Sequence, residues 1–389
     1  MNAVRQVLAV TQIGLRAIPQ RLGPSLVVVV GMASVVAVTI SILSMATGFM
    51  RTVNSAGRAD RALVLSRNSQ FENASSISRD AVPIIADAPG VRRGADGKPI
   101  ISAETLVQSG VVKKSDGLDA FITVRGVGPE GFALRPEIKL ISGRMFHPAT
   151  HELIVGKAAQ TQFEGLDVGS SVSLPEGDWT ITGSFESGGD GNESQLFADS
   201  ETVLSSMRAN AFKSVTVLLT GPDAFKQFKS TLMANPMLTV DVIREPEYLA
   251  VQTRDINYFL TLIAYLVGGI MGLGALFGAL NTLYSAVSTR SKEIATLRVF
   301  GFGATAILTS VLAEALLLSL LGAAIGSCVA WLAFNGNFHT AGSLVFKLRV
   351  TPLLIGEGIA LACALGLIGG VFPAVRAARI PVAVALRDS

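Results

Sequence analysis

Two long apolar runs of the sequence are joined by a short basic stretch, Ser285-Ala-Val-Ser-Thr-Arg-Ser-Lys-Glu-Ile-Ala-Thr-Leu-Arg-Val-Phe-Gly-Phe-Gly303. The run before it, from Ile256 to Thr289, contains no charged residue, and the run after it, from Val299 to Phe346, contains only Glu314. Each run is long enough to cross a bilayer, which takes about 20 apolar residues. The stretch is therefore predicted to be a small amphipathic helix at a membrane surface, between two transmembrane helices.

The composition of the whole chain favours a membrane protein. Of its 389 residues 50% are hydrophobic and 16% are charged, whereas soluble proteins carry about 25% charged residues. The net charge of +3 is small, and no basic run is interleaved with aromatics, so no nucleic-acid partner is expected. Both cysteines, Cys328 and Cys363, lie in apolar runs, so the polar middle of the chain has no disulfide framework.

The apolar runs predict four transmembrane helices. No charge occurs from Leu22 to Met50, which is longer than a signal-peptide core, so the first transmembrane helix is placed at 25–50 and is not cleaved. The others are placed at 256–284, 304–334 and 352–373. Residues 1–24 carry three arginines and no acid. This pattern predicts an amphipathic helix on the membrane, and an ordinary basic flank remains an equal alternative.

The polar middle, residues 51–255, carries strand and turn signals throughout. Glu152-Leu-Ile-Val-Gly156 has the composition of a strand, and 171–182 that of a hairpin. A helix beginning after Gly221-Pro-Asp places Phe225, Phe228 and Leu232 on one face. About 200 residues with such signals predict an α+β domain with its own core. A helix opening near Pro246 is expected to continue into the second span as a stalk, and Gly188–Asn192 is predicted to be a flexible loop.

The distribution of basic residues predicts the topology. Nine lie on one side, in residues 1–24, 285–303 and the tail 374–389, against Lys347 and Arg349 in the loop 335–351 on the other. Large domains are exempt from this count. Both termini and the 285–303 helix are therefore predicted to be cytoplasmic, and the α+β domain extracytoplasmic.

The sequence shows no catalytic constellation and no phosphate-binding Gly-x-x-x-x-Gly-Lys-Ser/Thr motif. No catalytic, cofactor or metal site is expected on the chain. Glu314 lies about 10 residues into the third span, where a carboxylate faces protein or water rather than lipid. It is predicted either to sit in a substrate or proton path or to fix helix packing. Small residues at every fourth position predict close helix contact in a bundle or a dimer: Gly268, Gly272, Gly274, Gly278, Gly322, Gly326, Gly358, Ala362, Gly366 and Gly370.

Three motifs together resemble those of the FtsX/MacB-like permeases of ABC transporters, also called type VII or mechanotransmission transporters. They are Ser288–Gly303, then Leu312-Ala-Glu-Ala-Leu-Leu-Leu318, then Gly369-Gly-Val-Phe-Pro-Ala-Val-Arg-Ala-Ala-Arg379 with the residues that follow it. In the middle domain, Leu140-Ile-Ser-Gly-Arg-Met-Phe146 resembles the periplasmic core domain of MacB-like members. The chain departs from the family at Arg298-Val-Phe-Gly301, where members usually have Ala after the arginine.

This resemblance implies a non-catalytic permease subunit in a bacterial inner membrane, surrounded by lipid, with its large domain in the periplasm. It implies a second permease copy, identical or paralogous, and a separate ATPase subunit that holds ATP and Mg²⁺. The 285–303 segment would be the coupling helix, with its ATPase-facing residues being Arg290, Lys292, Glu293, Ile294, Leu297, Arg298, Phe300 and Gly301. Ile294 and Leu297 are expected to seat in a groove of the ATPase.

Three functions are consistent with this resemblance. The first is export with a periplasmic adaptor and an outer-membrane channel, which the size of the middle domain favours. The second is activation of a periplasmic enzyme, as in FtsX, whose external domain is usually smaller. The third is extraction of lipoproteins, as in Lol-type permeases.

Overall fold

The computed structural model describes residues 12, 22–174, 177–341 and 344–379. They form two compact units. The polar domain comprises Gly48–Asn257 and Asn337–Leu348, and the helical unit comprises the remaining described residues. The predicted N-terminal helix 1–24 lies largely outside the described residues, as does the tail from residue 380.

The polar domain is built on a ten-stranded mixed sheet. Its strand order is β12-β1-β11-β3-β4-β9-β6-β8-β5, and β7 pairs with β8 beside this path. The pairs β4–β9 and β6–β8 are parallel and the others are antiparallel. The strands are β1 (Arg61–Ser66), β2 (Ile77–Ser78), β3 (Ile101–Val112), β4 (Asp119–Val127), β5 (Lys139–Gly143), β6 (Glu152–Gly156), β7 (Ser171–Leu174), β8 (Gly177–Glu186), β9 (Gln195–Asp199), β10 (Ala211–Phe212), β11 (Ser214–Leu218), β12 (Val240–Arg244), β13 (Phe338–Ala341) and β14 (Leu344–Lys347).

The helices in chain order are α1 (Leu22–Asn54), α2 (Ala81–Ala86), α3 (Gly131–Leu134), α4 (Lys157–Gln162), α5 (Ser200–Ser206), α6 (Ala224–Ala234), α7 (Glu245–Thr289), α8 (Ser291–Val299), α9 (Ala304–Phe334) and α10 (Pro352–Ala378). Four of them, α1, α7, α9 and α10, are long and apolar enough to cross a membrane. The predicted fold class, four transmembrane helices with an α+β domain between the first and second, is confirmed.

The domain core follows the sequence periodicities. On α6 the buried residues are Phe225, Phe228 and Leu232, one helical face, and they pack over β12 through Val240 and Val242. A second core surrounds Trp179, which is fully buried. The helical spacing of Phe225, Phe228 and Leu232 therefore predicted the buried face of α6 correctly.

The loop 335–351 is more structured than predicted. It forms the hairpin β13–β14, in which Val345 joins the core around Trp179. The Ser194 hydroxyl donates to the Val345 carbonyl and accepts from its amide, both at 2.9 Å. The apolar side chains of β14 make this hairpin part of the polar domain rather than a separate loop.

The segment Gly188–Asn192, predicted to be flexible, is held by its own side chains. The Asp190 carboxylate accepts from the backbone amide and the side-chain amide of Asn192, both at 2.9 Å. The Glu193 carboxylate accepts from the amides of Ser187 and Gly189, both at 2.7 Å. Burial raises the pKa of Asp190, and its hydrogen bonds oppose that rise. Short polar side chains satisfy the backbone here, which composition alone did not reveal.

Candidate functional site

The basic stretch between the second and third spans contains a break between two helices. Helix α7 ends at Thr289, Arg290 leaves helical geometry (φ −97°, ψ 11°), and α8 begins at Ser291. The predicted 285–303 helix is therefore shorter than expected, since its first residues complete α7. Arg290 turns inward at this break, and 14% of its side chain is exposed.

Arg290 joins the break to the third span. Its Nε lies 3.1 Å from Glu293 Oε2, and its Nη1 lies 3.5 Å from Glu314 Oε2. Glu314 is buried in α9, with 12% of its side chain exposed. Arg290, Glu293 and Glu314 line a small cleft of about 40 Å³, whose other lining residues are apolar except Ser310. This contact joins the break before α8 to α9, and pairing of this kind stabilises a buried carboxylate.

Helix α8 turns its apolar face toward its own helical unit. Ile294 and Ala295 are buried, and Ile294 packs with Val287, Ile307 and other residues of the helical unit. This arrangement differs from the expectation that Ile294 seats in a partner's groove. Leu297 is half-buried and lines the cleft. The amphipathic pattern identified the apolar face, but the chain itself covers that face.

The outer face of α8 is formed by other residues of the same motif. Lys292, Glu293 and Thr296 are exposed, and Phe300, at the end of the helix, is 76% exposed. Arg298 donates from Nη1 to the Ala378 carbonyl at 3.0 Å, so it ties α8 to the end of α10. The surface that α8 offers to a partner is therefore mixed in polarity.

Gly301 follows the end of α8 and caps it. Its φ is +88°, and its amide donates to the Arg298 carbonyl while the Phe302 amide donates to the Leu297 carbonyl, both at 3.1 Å. This pair of bonds is a Schellman cap, whose left-handed residue is usually glycine because a Cβ is strained there. The final glycine of the Arg298-Val-Phe-Gly301 motif is explained by this geometry.

The predicted packing residues divide into two sets. A Cβ added at Gly268, Gly358, Gly366 or Gly370 would come within 3.0 Å of a neighbouring side chain, at Gly322 or Gly326 within 3.0 Å of α1, and at Gly272 within 3.2 Å of Leu365. Ala362 is fully buried. These positions permit close helix contact inside the helical unit. Among the residues that the structure describes, no atom lies within 4 Å of such a Cβ at Gly274 or Gly278, so these residues leave that side of α7 open.

In the polar domain, a buried arginine holds the start of α7. Arg61 is 1% exposed, and its Nε lies 2.7 Å from Glu245 Oε2. Its Nη1 lies 2.9 Å from Glu137 Oε1 and donates to the Leu134 carbonyl at 3.1 Å, while its Nη2 donates to the Ala56 carbonyl. One guanidinium thus joins the chain that follows α1, the α3 turn and the first residue of α7. Sequence reasoning missed this cluster, because its members lie far apart along the chain.

His147 and His151 lie four residues apart, and both have partners in the polar domain. His151 stacks on Trp179 with ring centroids 4.8 Å apart, and His147 Nδ1 lies 3.1 Å from Glu152 Oε2. The Arg144 guanidinium bound to Glu152, with the hydrogen bonds from His147, lowers the pKa of that carboxyl to about 2. Within the described ranges, no group of three His, Cys, Asp or Glu residues is placed to hold a metal ion.

Two family models match the chain. The MacB-like periplasmic core domain matches residues 25–234, and the FtsX-like permease C-terminal domain matches residues 265–382. Among curated proteins, the macrolide export ATP-binding/permease protein MacB of Shigella boydii serotype 4 is 32% identical over 141 residues. MacB of Escherichia coli K12 is 31% identical over 141 residues. Each alignment covers 35% of this chain and 20% of the relative, so the chain matches about a fifth of the length of these relatives.

Among solved structures, the extracellular domain of the noncanonic ABC-type transporter YknZ from Gram-positive bacteria aligns with a TM-score of 0.36 and 14% identity. The alignment covers 47% of this chain and all of that domain, and likeness at this level carries no functional argument. The assignment to a family rests on the two family models, since the MacB-like periplasmic core domain alone spans more than half of the chain. The chain belongs to the FtsX/MacB-like family of ABC transporter permeases.

Proposed function

We propose that this chain is a permease subunit that couples ATP hydrolysis on a separate ATPase subunit to movement of its polar domain. The observation that carries the proposal is helix α7. Its first residue, Glu245, is held by Arg61 in the polar domain, and its last, Thr289, is followed after one residue by α8. A continuous helix of 45 residues, about 68 Å long, transmits displacement along its axis as a loop does not.

The proposed orientation places both termini and α8 in the cytoplasm and the polar domain in the periplasm, in a bacterial inner membrane. The excess of basic residues on the α8 side supports it. ATP and Mg²⁺ would be held by the ATPase subunit. A second permease copy would pack on the open side of α7, where Gly274 and Gly278 leave room for a close approach.

The ATPase would meet the outer face of α8. Ile294 is buried in the helical unit and holds α8 in place, whereas Lys292, Glu293 and Phe300 remain accessible. Arg290 and Arg298 would pass the force inward, because one contacts Glu314 in α9 and the other the end of α10. In this arrangement Phe300 supplies the apolar anchor and the charged residues fix the register.

Export with a periplasmic adaptor and an outer-membrane channel is the proposed outcome of this movement. The relatives named macrolide export proteins support it. The test is affinity capture of the tagged full-length chain from its own host after mild crosslinking, with mass spectrometry of the recovered proteins. Recovery of an ABC ATPase together with an adaptor is expected. Recovery of a periplasmic hydrolase or a lipoprotein chaperone instead of an adaptor would contradict export.

A matched pair of variants tests the ATPase surface. Phe300→Ser removes an exposed ring from the end of α8, and Phe338→Ser removes an exposed ring from the polar domain. We expect Phe300→Ser to reduce ATPase recovery at least about tenfold, as the loss of an apolar anchor does, and Phe338→Ser to leave it unchanged. Equal recovery with both variants would show that α8 is not the docking surface.

A further inference from the structure

A cavity of about 770 Å³ lies inside the polar domain. This volume falls in the range of small-molecule sites, about 300–1,000 Å³. One wall is apolar and comes from helical segments, with Phe49 and Val53 from α1 and Leu249 and Ile256 from α7. All the residues that line the cavity belong to the polar domain. The cavity is separate from the cleft at α8.

The opposite wall is a row of polar side chains across three neighbouring strands. Gln108 on β3 is paired in register with Thr123 on β4, and Thr123 with Gln195 on β9. Directly paired residues point to the same face of a sheet, so all three line the cavity. The row presents amide and hydroxyl groups, which both donate and accept hydrogen bonds.

The four charged side chains that line the cavity are already paired, Arg125 with Glu72, Arg135 with Glu104, and Glu245 with Arg61. Arg125 donates from Nη1 and Nη2 to Glu72 at 2.9 and 3.1 Å, and from Nη1 to Glu104 at 2.6 Å. Its Nε donates to Gln195 at 2.9 Å, and Glu72 also accepts from the Ser214 hydroxyl. A charged ligand would displace one of these partners in order to be neutralised here. An uncharged polar group needs no counter-charge and therefore leaves these ion pairs intact.

We propose that this cavity binds a neutral amphiphile. Its apolar chain would lie along Phe49, Val53, Leu249 and Ile256, and its uncharged hydrogen-bonding head would lie against the Gln108–Thr123–Gln195 row. The proposal is independent of the ATPase partner, because both walls belong to the polar domain. It gives this domain a ligand-binding role in addition to movement.

The test uses the full-length chain in nanodiscs and three probes that share an eight-carbon chain: monooctanoylglycerol, octanoate and octyltrimethylammonium. Hydrogen exchange of residues 119–127 and 245–257 is followed as each probe is titrated. The concentration of free probe is corrected for partitioning into lipid, which is measured with empty nanodiscs. Monooctanoylglycerol is expected to protect these residues from hydrogen exchange, and the protection should saturate with probe concentration. The anionic and cationic probes are expected to bind at least about tenfold more weakly, because the cavity offers them no unpaired counter-charge.

Two variants identify the polar wall. Thr123→Val keeps the side-chain shape and Gln108→Leu changes an exposed side chain, so at least one of them should keep the fold. Each variant should lower the affinity for monooctanoylglycerol about 3- to 10-fold, which is the effect of losing one neutral hydrogen bond. Thr180→Val, on the exposed side of β8, is the matched control and should have no effect. Unsaturable protection, equal affinity for the three probes, or parent-like affinity in both variants would overturn the proposal.

Discussion

Replacing Glu104 by Gln tests the charge network at the centre of the polar domain. Glu104 is fully buried, and it accepts from Arg135 Nη1 and Nη2 at 2.7 and 2.9 Å and from Arg125 Nη1 at 2.6 Å. Burial raises the pKa of Glu104, but the charges of Arg135 and Arg125 outweigh that effect and lower it to about 2. The carboxylate therefore stabilises the fold through its charge.

The expected loss of stability follows from two independent considerations. Glu104→Gln keeps the side-chain size but removes the carboxylate that pairs with Arg135 and leaves Arg125 with Glu72, and breaking a buried ion pair costs about 3–5 kcal/mol. Lowering the pKa from 4.5 to about 2 corresponds to about 3 kcal/mol at 1.36 kcal/mol per pKa unit. We therefore expect the variant to lose about 3 kcal/mol of unfolding free energy.

The assay uses the fluorescence of Trp179. The chain has two tryptophans, and Trp179 is fully buried in the polar domain while Trp331 lies in α9. In a Trp331→Phe background, Trp179 emission reports unfolding of the polar domain in urea. A loss of about 3 kcal/mol should lower the urea midpoint by roughly 1–1.5 M at a slope of about 2–3 kcal/mol per M. The matched control is Glu186→Gln, which breaks an exposed pair with Lys157 and should change the midpoint little.

Acid provides a second readout of the same residue. The folded pKa of Glu104 lies below its ordinary value of 4.5. Its stabilising charge is therefore fully present above about pH 4.5 and is lost as the pH falls toward about 2. Since Gln does not titrate, the difference between parent and variant should shrink in that window. A Glu104→Gln midpoint within about 0.2 M of the parent at pH 7, or a difference independent of pH between 4.5 and 2, would refute the reasoning.

Three further predictions concern the joints of the permease, and hydrogen exchange of the full-length chain measures each. Gly301→Ala should lower the local stability of the Schellman cap by about 1–2 kcal/mol, so that the amides of the cap exchange about 5- to 30-fold faster. Gly301→Asn should lower it less, since asparagine tolerates positive φ. Glu314→Gln or Arg290→Gln should each speed exchange in 291–299, and the double variant should add nothing beyond Arg290→Gln, which also breaks the pair with Glu293, because the Arg290–Glu314 contact is lost in all three; additive effects would contradict this. Arg61→Lys should speed exchange in 245–252 at least about tenfold, since lysine cannot reach all of Arg61's partners, whereas Arg79→Lys, at an exposed pair, should not.

Much of the fold is encoded in local patterns, which explains why the sequence predicts it. A charge-free run from Ile256 to Thr289 needs no partner to be recognised as a membrane helix, and α7 contains all of it. Alternation at Val240 and Val242 likewise describes a half-buried strand wherever that strand pairs. Such signals extend over a few residues and do not depend on the rest of the chain.

The contacts that hold separate segments together involve residues that are distant along the chain, and no local sequence pattern predicts these contacts. Arg61 meets Glu137 and Glu245 because three separate segments converge on it. Ser194 and Val345 exchange hydrogen bonds across 151 residues. The sequence alone does not distinguish a buried arginine from a surface arginine, so the role of Arg61 is recognised only when the sheet register is known.

Helix α8 shows most directly that a local pattern does not identify the residues that cover an apolar face. Its sequence predicts an apolar face with Ile294 at its centre, but an apolar face can be covered by a partner or by the chain itself. In the structure Val287, Ile307 and Val311 cover it. Among the described residues of α8 and its end, Lys292, Glu293 and the ring of Phe300 are exposed on the outer side, and the proposed ATPase contact would rest on them. The buried face instead packs α8 against α9 and α10, and the proposed coupling role requires this packing if a push on the outer side of α8 is to reach the membrane helices.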